Sequence, residues 1–597
     1  MTKDEYAFTW DLETFFKGGS DSKEFQVHLT QVATLINQFE QHVTTWEQPS
    51  SNENNEAFLT ALDYLQKSSQ MLHEASAFVS CLQAQDTSDM KAKELRGQVT
   101  QLSAKLQTVL TVFDEKLVHI PDQIWKSLIQ VTELIDIQYI LTERRQRAAE
   151  KLSREQESLI HALSVDGYRG WEEMYNTLVS HVHIPFEENG VIKELSVGQA
   201  ANQFSHPDRE VRKKVFKNWQ TAWEKEADTF ATTLNHLAGF RLAVYDQRGW
   251  DDILKEPLNY NRMKKQTLHV MWDVIADNKD MFVQFLSRKA KLLGVEKLSW
   301  YDVDAPIGKT NKKYSYQEGA NFIIEHFNKF GTKLTSMTKR AFAERWIEAE
   351  DRPGKRPGGF CTTFPISEQS RIFMTYSGTA SNIATLAHEL GHAFHSFVLK
   401  NVHPLNKGYA MNVAETASTF AEMIVADAAV KSTTDREEKL TLLEDKIQRS
   451  VVFFMNIHAR FLFETRFYEE RKKGIISKAR LNELMVDAQK EAFNDSLAEY
   501  DPTFWASKLH FFITDVPFYN FPYTFGYLFS LGIYAKALAE GKGYEEKYIA
   551  LLQDTGAMTV EDLAKKHLDV DLTERAFWEE AIKLCVHDVE TFLQMTN

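Results

Sequence analysis

Apolar residues recur along this chain mostly at helical intervals. Leu95, Val99, Leu102, Leu106, Val109 and Phe113 step by fours and threes, which lays a single apolar stripe along one helix face. The run from Asp435 to Lys473 follows the same period and predicts a long helix stopped by Gly474. Proline supports this reading. There are 13 prolines, with none between Pro49 and Pro121, none between Pro404 and Pro502 and none after Pro522. Proline breaks helix interiors, so these windows permit long helices. Strand patterns are few. His183–Phe186 and Val191–Ile192 flank Glu187–Gly190, whose Asn-Gly pair suits a tight hairpin. The segment from Asp351 to Pro365 carries three prolines and three glycines, and two extended stretches follow from it, Gly359–Phe364 and Arg371–Tyr376. The expected architecture is therefore mostly α, with a small sheet beside a helical body. The hairpin is the expected boundary between an N-terminal helical region, 1–185, and a second region, 186–597. No period of 20–50 residues repeats, so a solenoid is not indicated.

Composition narrows the classes. The chain has 597 residues, 43% hydrophobic and 26% charged, which excludes collagen-like, mucin-like and disordered readings. Acidic residues number 84 against 69 basic, a net charge of −15, which argues against nucleic acid as a partner. Three distant cysteines, Cys81, Cys361 and Cys585, build neither a disulfide framework nor a Cys-rich metal site. Cys361 reads as a packed thiol, because no paired histidine motif surrounds it. Met1–Trp10 holds Lys3, Asp4 and Glu5 and lacks the apolar core of a secretory leader. No apolar run of about 18 residues offers a membrane span. A reducing cytoplasm is the expected compartment.

One segment carries chemistry. After a turn rich in helix-capping residues, Ser377–Asn382, the chain reads His388-Glu389-Leu390-Gly391-His392. Residues four apart share a helix face, so two imidazoles so spaced can grip one Zn²⁺. Glu389 is turned about 100° away from His388, from where it can reach a water without ligating the metal. A catalytic zinc wants a third protein ligand and an open position. Glu415, 23 residues beyond His392 and past a turn at Pro404 and Gly408, lies on a helix able to return to the metal. Glu422, two turns on, is either a partner for an imidazole or a solvated surface group. His395 ligates, orients a ligand or packs. The metzincin pattern requires glycine at 395 and histidine at 398; the chain has His395 and Val398.

With these residues in place the chain resembles the thimet oligopeptidase and oligoendopeptidase F family of zinc metallopeptidases, family M3, and most closely its bacterial oligoendopeptidase F branch. His388–His395 and Glu415-Thr416-Ala417-Ser418 carry the likeness. Lys355–Cys361, the tyrosine-rich Pro517–Ser530 and the opening Trp10-Asp11-Leu12 with Phe15-Phe16 extend it over nearly the whole chain. The resemblance implies a two-lobed helical clamshell with a deep substrate channel, the zinc helix at its floor and 1–185 as a lid-like lobe. It also implies that the channel admits oligopeptides and excludes folded proteins.

From His510 to Phe529, nine of 20 residues are Phe or Tyr. Buried tyrosine hydroxyls need partners, and donors aimed at a developing oxyanion accelerate acyl transfer. Tyr527 matches the family position that resembles a transition-state donor. Tyr523 lies four residues earlier on the same helical face, and His510 is the candidate imidazole donor. The expected protein is thus an endopeptidase of short peptides with one Zn²⁺ on His388, His392 and Glu415. Glu389 is its general base, and Tyr527, with Tyr523 or His510, steadies the oxyanion. The strand Gly358–Thr362 is expected to align substrate through its main chain. The competing readings are a helical zinc metallocarboxypeptidase and a non-catalytic helical scaffold with a degenerate site.

Overall fold

The proline-free windows form long helices in the computed structural model, which describes residues 6–49, 55–188, 190–308 and 312–597. Met1–Glu5, which bear on the expected lack of a leader, and Asn189 of the expected hairpin turn lie outside the described residues. Lys23–Thr45, Glu56–Gln85 and Met90–Val118 pack on one another. Ser22 and Asp89 cap two of them by accepting the Phe25 and Ala92 amide hydrogens. The stripe read from the sequence faces inward: Leu95, Val99, Leu106, Val109 and Phe113 are buried. These helices enclose a hydrophobic core of their own, with Phe25, Phe39, Phe58 and Phe78 fully buried, that runs through Leu141.

A second, larger core spans Tyr175 to Phe592 and already includes Val182 and Ile184. Its backbone is Arg209–Gln247, a helix of 39 residues that buries Trp219, Trp223, Phe230 and Leu234. The hairpin forms as β1 (His183–Glu188) antiparallel to β2 (Val191–Ser196), and the pair Glu188↔Val191 leaves only two residues for the turn. The expected helix from Asp435 to Lys473 is two helices, Arg436–Val451 and Ile457–Arg471, joined by a π-helical turn at Val452–Asn456. That turn re-aims the Phe453 carbonyl, which accepts a 2.7 Å hydrogen bond from Thr524 Oγ1 on another helix.

The small sheet contains β3 (Ile347–Glu348), β4 (Phe360–Phe364) and β5 (Gln369–Phe373), in the order β3-β5-β4. β4 and β5 are antiparallel; β3, which the sequence pattern does not reveal, runs parallel to β5. Phe364 and Phe373 of this sheet belong to the N-terminal core. Phe15 stacks on Phe364 with centroids 3.7 Å apart, and Arg371 donates to the Asp11 carbonyl at 2.7 and 3.0 Å. The sheet therefore joins the two cores. No described helix is long and apolar enough to cross a membrane.

Candidate active site

The motif helix, Ala380–Val398, starts at Thr379, whose hydroxyl accepts the Asn382 amide hydrogen while the Asn382 side chain reaches back to the cap. It packs on the helix Thr416–Ser432. Gly391 makes that approach possible. A Cβ there would stand 2.4 Å from the Ala417 carbonyl oxygen and 2.6 Å from Ser418 Cα. Glu415 occupies the joint before the second helix, so its side chain returns toward the two histidines. Gly526 permits a second close approach, because a Cβ there would lie 2.9 Å from the Asn412 carbonyl and 3.3 Å from Glu415 Cβ.

One ligand atom each from His388, His392 and Glu415 comes within 4.8 Å of the others. Glu415 Oε2 lies 3.2 Å from His388 Nε2 and 3.5 Å from His392 Nε2. Donor atoms around a tetrahedral zinc, at bond lengths of ~2.0–2.2 Å, stand roughly 3.3–3.5 Å apart. The donor set and these two separations fit zinc. Ser418 Oγ donates to Glu415 Oε2 at 2.7 Å and fixes the carboxylate.

Charge is arranged around this point in layers. Glu422 Oε2 is 3.1 Å from His388 Nδ1, which leaves Nε2 directed at the shared point. Arg449 pairs with Glu422 from behind. Burial opposes a charge on the His388 ring, but Glu415 and Glu422 outweigh it and lift its pKa to about 10. Burial also works against the Glu415 carboxylate, but its contacts with the two histidines hold its pKa far below the ordinary range. Two carboxylates thus face the imidazoles, a set of groups able to hold a cation. Glu389 is 6% exposed, and its Oε2 has no hydrogen-bond partner among the described residues. Burial raises its pKa, against the pull of the His388 and His392 charges. Gly359, just before β4, comes close to it: a Cβ there would stand 3.5 Å from Glu389 Oε1.

His395, left open by the sequence, is a packing residue. It is fully buried and stacked on Tyr409 at 4.2 Å, and its Nε2 lies 2.9 Å from Thr555 Oγ1. Burial pushes its pKa down to about 3, which keeps the ring neutral. Cys361 is a packed thiol whose pKa burial pushes well above the usual value.

The aromatic segment divides in two. Tyr523 and His510 stand with Tyr519 in a cluster, with centroids 5.4 Å (His510–Tyr519), 5.7 Å (Tyr519–Tyr523) and 6.5 Å (His510–Tyr523) apart. Burial and the hydrogen bond to Tyr519 raise the Tyr523 pKa, with the Glu415 charge adding to the effect, so the hydroxyl keeps its proton. Burial, then Arg460 and Lys508, lower the His510 pKa to about 4. Tyr527 is buried against Phe453 at 4.5 Å. Its hydroxyl lies 3.0 Å from Ser450 Oγ and 3.7 Å from Cys585 Sγ. A cavity of about 550 Å³ is lined by His388, Glu415, Glu422, Tyr523 and Tyr527. The sequence reading missed Tyr519 and Arg449. Tyr519 sits in the same aromatic run and was open to being picked out, whereas nothing in the local pattern marks Arg449.

These features define a helical hydrolase-type site, with two imidazoles and a carboxylate at one point and an unpartnered carboxylate beside them. Residues 203–584, more than half of the chain, match the family model of Peptidase family M3, and residues 116–183 match that of Oligopeptidase F. The chain belongs to peptidase family M3 and is a peptidase. It is 24% identical to an oligoendopeptidase F homolog of Lactococcus lactis subsp. lactis over 95% of this chain and 94% of that one. It is 23% identical to oligopeptidase PepF of Bacillus subtilis, covering 96% and 85%. In fold it is similar to oligoendopeptidase-F of Enterococcus faecium (TM-score 0.71, 20% identity, 96% and 99% covered). A solved chain from Chlamydophila abortus gives a TM-score of 0.84 at 18% identity, with 98% of each chain covered.

Proposed function

We propose that the protein is a zinc-dependent endopeptidase of oligopeptides, with the ion held by His388, His392 and Glu415. One observation carries the reading: ligand atoms of His388, His392 and Glu415 converge beside a buried carboxylate oxygen that has no partner among the described residues. Bound there, zinc supplies Lewis-acid polarisation of the scissile carbonyl and a water made acidic enough to attack near neutral pH. Glu389 takes the proton of the attacking water and returns it to the leaving amine. Its raised pKa suits both halves of that transfer.

Tyr523 and His510 donate to the oxyanion. Both keep a proton to give at neutral pH, and the Glu415 charge reaches Tyr523. Tyr527 walls the cavity and, through Ser450, holds the π-helical turn on which it stacks. The start of β4 offers its main chain to an extended peptide, next to Glu389. Residues 186–597 carry the chemistry, and residues 1–185 serve as a lid-like part. The N-terminal helices have a core of their own, although within that region it ends at Leu141 and the second core already takes in Tyr175 and Val182, ahead of the hairpin, and Ile184.

The reading is tested with Glu389→Gln. Peptide cleavage should fall by at least ~10²–10⁴-fold while the protein still binds one equivalent of zinc by elemental analysis. Full activity in that variant would falsify the general-base role. Glu415→Ala should lose the metal.

A further inference from the structure

The chain has 15 more acidic than basic residues, yet a number of its cations have no carboxylate at ion-pair distance among the described residues. Two such cations sit side by side next to the aromatic cluster. The Arg460 guanidinium lies 5.3 Å from the Phe504 ring centroid and Lys508 Nζ lies 4.7 Å from it. Neither has a carboxylate at ion-pair distance among the described residues. Arg460 gives Nε to Asn456 Oδ1 at 2.9 Å and Nη1 to Asn520 Oδ1 at 3.1 Å, both neutral acceptors. Lys508 Nζ has no hydrogen-bond partner among the described residues, and both side chains keep partial contact with solvent. The neighbouring acids are committed elsewhere. Asp501 accepts from Thr503 N and Oγ1 at 3.0 and 2.8 Å, and Asp304 accepts from Gln448 at 2.8 Å.

Holding two like charges together without a counter-ion is costly, and a bound anion relieves the cost. Burial pushes Lys508 down to about 8, with the Arg460 charge adding to it and Asp501 and Asp304 opposing in part, and burial pushes Arg460 down to about 10. The same two charges act on His510, and Arg460 acts on Tyr523, so the pair borders the groups assigned above to the oxyanion.

We propose that Arg460 and Lys508 form an anion subsite that takes a carboxylate of the peptide substrate, either its C-terminus or an acidic side chain. The guanidinium is suited to fork onto two carboxylate oxygens, and the ammonium supplies a point charge. The Phe504 ring lies against both cations. The inference rests on the peptidase reading and adds a substrate class to it.

The test uses the zinc-loaded protein and matched neutral peptides. One pair differs only in a free or amidated C-terminus. A second set, all amidated, exchanges Gln for Glu at each position in turn. The wild type should prefer one carboxylate member over its neutral match by at least about tenfold in kcat/KM, expressed mainly in KM. The set in which the preference appears identifies the source of the carboxylate. In Arg460→Met and Lys508→Met the preference should shrink to less than about threefold, and Arg460→Lys should keep more of it.

Each ratio is measured within one protein preparation, so partial misfolding cancels. The same peptides are also titrated calorimetrically into Glu389→Gln, which reads the subsite without turnover. If that protein discriminates the carboxylates while the wild type cleaves nothing, the peptidase mechanism has failed and the subsite stands. The subsite is overturned if the wild type shows no preference, if the variants keep it, or if they lose both members of a pair equally. It is likewise overturned if the variants change only the response to added chloride or phosphate, which would make the pair a site for free anions.

Discussion

Glu422 never reaches the point where His388, His392 and Glu415 meet, yet it bears on which nitrogen of His388 faces that point. Its carboxylate oxygen at 3.1 Å from Nδ1 selects the tautomer, and Arg449 holds that carboxylate in place. Partners of this kind typically contribute ~10–100-fold in metal affinity. Glu422→Ala should therefore weaken zinc binding by about that factor, measured by competition with a chelator, with secondary structure unchanged by circular dichroism. Unaltered affinity would sink the orienting role. The tyrosines make a second contrast. Tyr523→Phe removes a hydroxyl from a residue lining the cavity that His388 and Glu415 also line, and should lower kcat by ~10²–10³-fold. Tyr527→Phe removes a hydroxyl already spent on Ser450 and should cost less than about tenfold. An inverted order would return Tyr527 to the oxyanion. The sequence offered all three aromatic candidates together, because spacing along a helix says which residues share a face and leaves open what that face meets. Glu415, by contrast, was legible: few acidic residues follow the motif at a distance that allows a return, and the geometry of a tetrahedral ion restricts the choice further.

Between elements, the decisive residues have no side chain. Gly391 stands inside the metal motif, and any Cβ there collides with the backbone of the next helix at Ala417 and Ser418. Neither collision partner is the flexible end of a side chain, so the helices themselves must move apart. Overpacking of this kind costs ~1–3 kcal/mol or more. Separating the helices also separates His388 and His392 from Glu415, and a site must keep its ligands within roughly 0.5 Å to function. Gly391→Ala should thus lower the melting temperature and weaken zinc binding together, at least about tenfold. Loss of stability with zinc affinity intact would show that the ligands do not depend on this approach. Elements with long, regular apolar stripes were readable, as at Leu95–Phe113. The break at Val452–Asn456 was not, since the residues on both sides keep the helical period and the π turn answers to Thr524, more than 60 positions away. β3 spans two residues, too few for any alternation to show.

At the scale of the molecule the two hydrophobic cores were invisible in the pattern. Periodicity identifies an apolar face but not the face it packs against, so the crossing of Phe364 and Phe373 into the N-terminal core had no local signature. The same holds for the loop between His510 and Tyr523, which is moored by buried groups from distant helices. Arg241, on the helix Arg209–Gln247, donates to the Ile513 and Thr514 carbonyls and to the hydroxyls of Tyr168 and Tyr468. Beside it, Glu464 accepts the Phe518 amide hydrogen at 3.2 Å and leaves its Oε2 without a partner among the described residues. Burial lifts this carboxyl to about 8, with Arg241 opposing only in part. Unfolded, it titrates near the ordinary 4.5. A folded pKa above the unfolded one means that the folded state binds the proton more tightly. The stability tied to that proton is therefore complete below about pH 4.5 and drains away as pH climbs to about 8, where it levels off. Glu464→Gln supplies a permanently neutral isostere that still accepts from Phe518. The variant and the wild type should melt within ~1 °C of each other near pH 4.5, and the variant should lead by at least ~2 °C at pH 8. Every other titrating group is common to both proteins, so the difference isolates this one carboxyl. A gap that stays constant between those pH values would mean that Glu464 is already ionised in the folded protein, with Arg241 as its full counter-charge.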